Sequence, residues 1–161
     1  MFNYKKNKRI RSKESNLVFP QFDLTIQEMH IPGMDDPVYE KNRDIWENLP
    51  RGLAYILDKE GNLITSLSGT RKFGYLESNY GYKNEIISAI GIEKENGECS
   101  HVSAFIFKNI KFWIVGSKHV NIVFRDGYFE KDIIQYKNNQ RCTFALKIAH
   151  FNPIGVFFNF L

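Results

Sequence analysis

The chain has 161 residues, 43% hydrophobic and 25% charged, with 14 Phe and 8 Tyr. That balance describes one globular domain with tails and excludes disordered and collagen-like chains. The net charge of +4 is local: Lys5, Lys6, Lys8, Arg9, Arg11 and Lys13 bring six positive charges in the first 13 residues, and subtracting them leaves −2.

No apolar run approaches the roughly 20 residues that a membrane span needs. The segment from Met1 to Lys13 has no apolar stretch after it of the kind a secretory signal requires. The basic run suits a solvated terminus, contacts to phosphates or a nuclear address. Two cysteines, Cys99 and Cys142, are too few for a metal cluster and do not make a disulfide scaffold. A reducing compartment, cytoplasmic or nuclear, fits that usage.

Residues 14–50 hold Pro20, Pro32, Pro37 and Pro50 without strong periodicity. They read as part of an extended N-terminal arm over 1–45, followed by a domain over 46–136 and a C-terminal segment over 137–161. A short helix is expected near Tyr39–Glu47, ended by Pro50, because the residue before a proline avoids the helical region. A hairpin follows, with strands Leu53–Leu57 and Leu63–Leu67 around a glycine-bearing turn, Asp58–Asn62.

Ser68–Gly74 is a loop, and Tyr75–Lys83 is polar and glycine-punctuated. A second set of strands starts at Glu85–Ile92 and reaches Asn96-Gly97, a strong hairpin dipeptide. Val102–Phe107, a tight Lys108-Asn109 turn, Lys111–Val115 and Val120–Phe124 continue a meander of short strands. Asp126 has the position of an N-cap for a helix over about 127–136. Phe151–Leu161 is strongly apolar and reads either as a terminal strand or as a truncated end. The fold class expected is α+β, dominated by an antiparallel β meander with a few helices.

Chemistry concentrates at Ile92-Glu-Lys94-Glu-Asn96-Gly97-Glu98, where a lysine leaves one strand just before a tight turn. Alone, that heptapeptide is also an ordinary hairpin. Around it stand Leu49-Pro50-Arg51-Gly52-Leu53, Thr70-Arg71-Lys72-Phe73-Gly74 and Phe112-Trp-Ile-Val-Gly116-Ser117-Lys118. In this order the four segments resemble the adenylyltransferase domain of phage-type and fungal tRNA-ligase-like RNA ligases, within the covalent nucleotidyltransferase superfamily. In that family an Arg-Gly strand, a hairpin and a Lys-Phe-Phe-Asn segment precede a Lys-x-Asp/Asn-Gly nucleophile motif. A strand with a small-residue turn then follows. The resemblance runs from about Arg51 to Phe124, near half the chain.

The resemblance implies that Lys94 is the lysine that becomes adenylylated, and that Asn96 and Gly97 form the turn that aims it. It implies phosphate contacts from Arg51 and Lys72, with Ser117 and Lys118 on the turn facing the site. ATP, or GTP, would be the nucleotide, Mg2+ would neutralise the triphosphate, and RNA would be the substrate. A lysine amine must lose its proton to attack, and its ordinary pKa is ~10.4. Partial burial and neighbouring cations such as Arg51 and Lys72 lower that value. For Arg51, Lys72 and Lys118 the ordinary alternative is a surface cation beside a turn.

The family's later motifs are missing. No Glu-Gly strand follows Phe124, and the one Lys-x-Lys triplet, Lys6-Asn7-Lys8, precedes the nucleophile. The chain therefore resembles the N-terminal part of such a domain. A catalytically inactive ligase-like fragment that binds nucleotide or RNA stays open beside the enzyme.

Other chemistries have less to stand on. His101-Val102-Ser103 is a single His-x-Ser, whereas a two-histidine phosphodiesterase needs two such motifs. No phosphate-binding Gly-x4-Gly-Lys loop occurs. Cys99 and His101 share one side of a strand, but no third group orients them as a nucleophile pair. Phe105, Phe107, Phe112, Trp113 and Phe124 read as core, with base stacking beside Lys108, Lys111, Lys118 and Arg125 as the alternative.

Overall fold

A computed structural model describes residues 7–69, 71–72, 100–137 and 142. Strands and helices are numbered in chain order over these residues. Phe22, Leu24 and Ile26 alternate with Asp23, Thr25 and Gln27, a period-two pattern that suits a half-buried strand. They belong to β2 (Phe22–His30), which pairs antiparallel with β1 (Arg11–Phe19) across a two-residue Pro20-Gln21 turn. β3 (Ala54–Asp58) and β4 (Leu63–Leu67) complete a four-stranded sheet in the order β1-β2-β3-β4, every pair antiparallel. The second sheet is a meander of β5 (Ser100–Phe107), β6 (Ile110–Ser117) and β7 (Asn121–Arg125). The structure is α+β with mainly antiparallel strands.

The alternation of β2 and β3 sorts the core. Leu24, Ile26, Ala54 and Ile56 face the second sheet and pack with Phe112, Ile114, Ile122 and Val123. Each such side chain, when buried, contributes on the order of 1.5–3 kcal/mol. Met29 and Leu53, of opposite parity to these, join Tyr39, Ile45 and Leu49 in a second cluster, together with Tyr55 at its margin. That cluster seats the short helices α1 (Asp36–Lys41) and α2 (Arg43–Asn48).

Among the described residues β7 is an edge of its sheet, and an edge strand exposes N–H and C=O groups that need partners. Three side chains close it. The N–H of Asn121 donates to Glu28 Oε1 (2.7 Å), that of Val123 to the Tyr136 hydroxyl (2.9 Å), and that of Arg125 to Asp132 Oδ2 (2.9 Å). The Tyr136 hydroxyl donates in turn to the Val123 carbonyl at 3.0 Å.

Several expectations change. Residues 11–30, expected within an extended arm, form the β1–β2 hairpin at the heart of the first sheet. The basic start is partly engaged there: Arg9 binds the Asn42 side chain, and Lys13 lies 3.9 Å from Glu28. The helix expected near 39–47 is two helices, broken where Asn42 is extended. The helix expected from 127 starts later, as α3 (Phe129–Asp132), and tightens into a 3-10 turn over Ile133–Tyr136. Gly127 sits at φ 74, and the Asp126 carboxylate accepts from Trp113 Nε1 instead of capping the helix. The aromatic residues are core: Phe105, Phe112, Trp113 and Phe124 are buried, and Phe107 packs against them. The expected strand over 85–92 and most of the segment 137–161 lie outside the described residues.

Candidate functional site

The expected phosphate-binding cations come from three separate loops. Arg51 opens the turn between α2 and β3, Lys72 follows β4, and Lys118 lies in the β6–β7 turn. They meet on one pair of carboxylates, Asp35 and Asp36, at the start of α1. Lys118 Nζ lies 2.7 Å from Asp35 Oδ1, and Arg51 Nε lies 3.5 Å from Asp35 Oδ2. Asp36 Oδ1 binds both an Arg51 terminal nitrogen and Lys72 Nζ, the latter at 3.2 Å. The Arg51 guanidinium also lies 5.8 Å from the centre of the Tyr39 ring.

Depth differs across the cluster. Lys72 is buried, with 6% of its side chain exposed, and the Asp35 side chain shows 8%. The Arg51 side chain shows 20% and Lys118 31%, whereas Asp36 shows 52%. Burial pushes the Asp36 carboxyl upward, but the hydrogen bond and charge of Lys72, then the Arg51 and Lys118 charges, hold it below its ordinary value. Tyr39 is pushed up to about 12, first by burial and then by the Asp35 charge. His119, beside Lys118, is lowered by burial and by the Lys118 charge.

Behind the cations stands a buried polar chain. Glu28 continues the inward row of Leu24 and Ile26, so β2 carries it toward β7. Its Oε1 accepts from both the backbone N–H and Nδ2 of Asn121, at 2.7 and 3.0 Å. With Nδ2 so engaged, Asn121 turns Oδ1 toward His101 Nε2, 2.5 Å away. An amide oxygen only accepts, so Nε2 is the donor in this contact. Burial raises the Glu28 pKa, against the lowering effect of the Asn121 bonds and of Lys13.

His101 packs against the turn that carries Arg51. Gly52 has φ +71, and a Cβ there would overlap His101 Cε1 and come within 3.2 Å of the Ser117 carbonyl. At Gly69 a Cβ would overlap the Arg51 carbonyl. The Arg51-Gly52 turn, the exit of β4 and the Ser117-Lys118 turn therefore touch one another. Among the described residues no three His, Cys, Asp or Glu side chains converge to hold a metal ion. No described helix is long and apolar enough to cross a membrane.

Arg51, Lys72 and Lys118 are thus brought together, while Lys94, Asn96 and Gly97 lie outside the described residues. Asp35, Asp36, Glu28 and Asn121 were not expected, and His101 was weighed only for other chemistry. One signal was visible: Asp35-Asp36-Pro37, an acidic pair against a proline that suits a first helical turn.

These features define an α+β protein of two antiparallel sheets with a cationic cluster at the junction of three loops. The chain belongs to the family described as Domain of unknown function (DUF7920), whose model matches residues 1–160. No curated protein matches the chain, and no solved structure matches it.

Proposed function

We propose that the chain is an RNA-ligase-like nucleotidyltransferase that binds ATP, or GTP, and forms a lysyl-nucleotide intermediate at Lys94 for RNA end-joining. The observation that carries this reading is the convergence of Arg51, Lys72 and Lys118 on Asp35 and Asp36. Among the described residues three cations meet two carboxylates, and side chains of that kind suit an oligophosphate. A guanidinium meets a phosphate through two parallel N–H bonds, and a lysine meets it as a point charge.

In the proposed step the Lys94 ammonium first loses a proton to solvent water, and the attacking nitrogen gives up a second to water as the phosphoramide forms. The free amine attacks the α-phosphorus, a P–N bond forms, and the P–O bond to pyrophosphate breaks. Arg51, Lys72 and Lys118 hold the phosphates and take up the charge on the leaving group. Asn96-Gly97 sets the turn from which the amine approaches. Mg2+ keeps most of its waters and needs few protein ligands, so it would neutralise the phosphates, with Asp35 as the nearby enclosed carboxylate. The bond chemistry and the RNA substrate rest on the sequence resemblance.

The test is incubation with α-labelled ATP or GTP and Mg2+. A phosphoramide label survives alkali and is released by acidic hydroxylamine. Such a label on the wild type, lost in Lys94→Ala and reduced at least tenfold in Arg51→Gln, supports the proposal. Absence of label overturns it, and RNA or nucleotide binding without label identifies an inactive binder instead.

A further inference from the structure

We infer that the Asp36 carboxylate occupies the seat of a ligand phosphate, and that the cation cluster therefore admits only anions carrying enough charge to displace it. This deepens the phosphate-binding reading above and rests on it.

The two carboxylates have different roles. Asp35 is enclosed, with 8% of its side chain exposed, and holds Lys118 and Arg51 from the protein side. Asp36 stands on the solvent side, 52% exposed, yet reaches back to both Arg51 and the buried Lys72. One carboxylate oxygen shared by a guanidinium and an ammonium stands where a non-bridging phosphate oxygen would accept from both. Swinging Asp36 into water leaves Asp35 in place and vacates its contacts with Arg51 and Lys72. Few atoms of Asp36 need move, because it has little packing to lose.

Displacement exchanges one anion for another, so net gain depends on charge. A monoanion gives the cations nothing that Asp36 does not. A trianion or tetraanion has further oxygens with which to reach Lys118 as well. Asp36 thereby sets a charge threshold that favours an oligophosphate tail over chloride, acetate or a phosphate monoanion.

Isothermal titration with inorganic tripolyphosphate, in EDTA and low salt, tests this. The probe carries no base and no nucleoside, so it is independent of Lys94 chemistry, and a Lys94→Ala protein is titrated in parallel. Asp36→Asn is expected to bind roughly three- to tenfold more tightly than wild type, the gain from removing a half-exposed competing carboxylate. Asp36→Glu, which keeps the charge, is expected to stay within about twofold of wild type. Orthophosphate binding should strengthen in Asp36→Asn by a larger factor than tripolyphosphate binding. Thermal melts confirm that each variant is folded. Unchanged or weaker binding by Asp36→Asn overturns the inference, since a carboxylate that organises the cations or holds a metal ion would behave so. No tripolyphosphate binding by either protein overturns it too. If Lys94 takes no label while Asp36→Asn tightens the binding, the placeholder stands and nucleotidyl transfer falls.

Discussion

Gly52→Ala tests how tightly the arginine turn is built. Gly52 holds φ +71, and an L-residue in that region costs ~1–2 kcal/mol. The new methyl group would also overlap His101 Cε1, and the Ser117 carbonyl at 3.2 Å blocks retreat on another side. The imidazole must shift, which disturbs its 2.5 Å contact with Asn121. Losing that hydrogen bond adds about 0.5–1.5 kcal/mol. The expected total is about 2–3 kcal/mol, or a fall of roughly 5–10 °C in Tm for a chain of this size. Urea unfolding of the single variants and of Gly52→Ala/His101→Ala separates the two parts. Removing the ring relieves the overlap but not the backbone strain. Gly52→Ala should therefore cost about 1 kcal/mol less in the His101→Ala background. Equal cost in both backgrounds would refute the packing of His101 on this turn, and a cost below about 0.5 kcal/mol would refute the strain as well.

Tyr136→Phe removes one oxygen from a buried site and leaves the Val123 N–H without its acceptor. A loss of about 1–3 kcal/mol is expected in thermal or urea unfolding, and wild-type stability would show that the edge of β7 is closed by other means. Glu28 gives a pH signature. Its folded pKa is raised above 4.5, mainly by burial, so between those two values the folded state binds more protons than the unfolded. Stability should therefore fall as pH rises through that window, and a urea series on Glu28→Gln should lose this slope. A stability that instead rises with pH over the same window in the wild type alone would reverse the assignment.

What the sequence made legible was local. β3–β4 and the β5–β6–β7 meander follow from alternation and turn chemistry; Lys108 and Asn109, at φ 49 and 63, adopt the left-handed pair a two-residue hairpin requires. In the β1–β2 hairpin only β2 alternates over several residues, and the polar start of β1 together with Pro20, Pro32, Pro37 and Pro50 gave the stretch no strong periodicity and the look of an arm. Charged residues are what an edge strand carries. Arg51, Lys72 and Lys118 were singled out by a resemblance in the order of four segments; their meeting on one pair of carboxylates is a finding of the structure. Their carboxylate partners were not legible, because Asp35 and Lys118 are 83 residues apart and Glu28 and Asn121 93. No local period encodes a contact at such separation. The Asp126 cap failed for a similar reason: Trp113, on a neighbouring strand, takes the carboxylate.

Stability alone is a poor reason for the cation cluster. Exposed ion pairs contribute about 0–1 kcal/mol, and well-packed apolar replacements for buried pairs are often neutral or better. Yet here a lysine is carried to 6% exposure and meets a carboxylate that is half in solvent. An arginine is held by two acids on a turn too tight for any side chain at Gly52, and a third cation arrives from the other sheet. Behind that turn, Glu28 and Asn121 fix the imidazole that braces it. Asp35 and Lys72 are the enclosed members of the cluster, and Asp36 is the one that faces water. A fold gains little from that division, whereas the anion capture proposed above would use it, because it needs cations held in place before a ligand arrives.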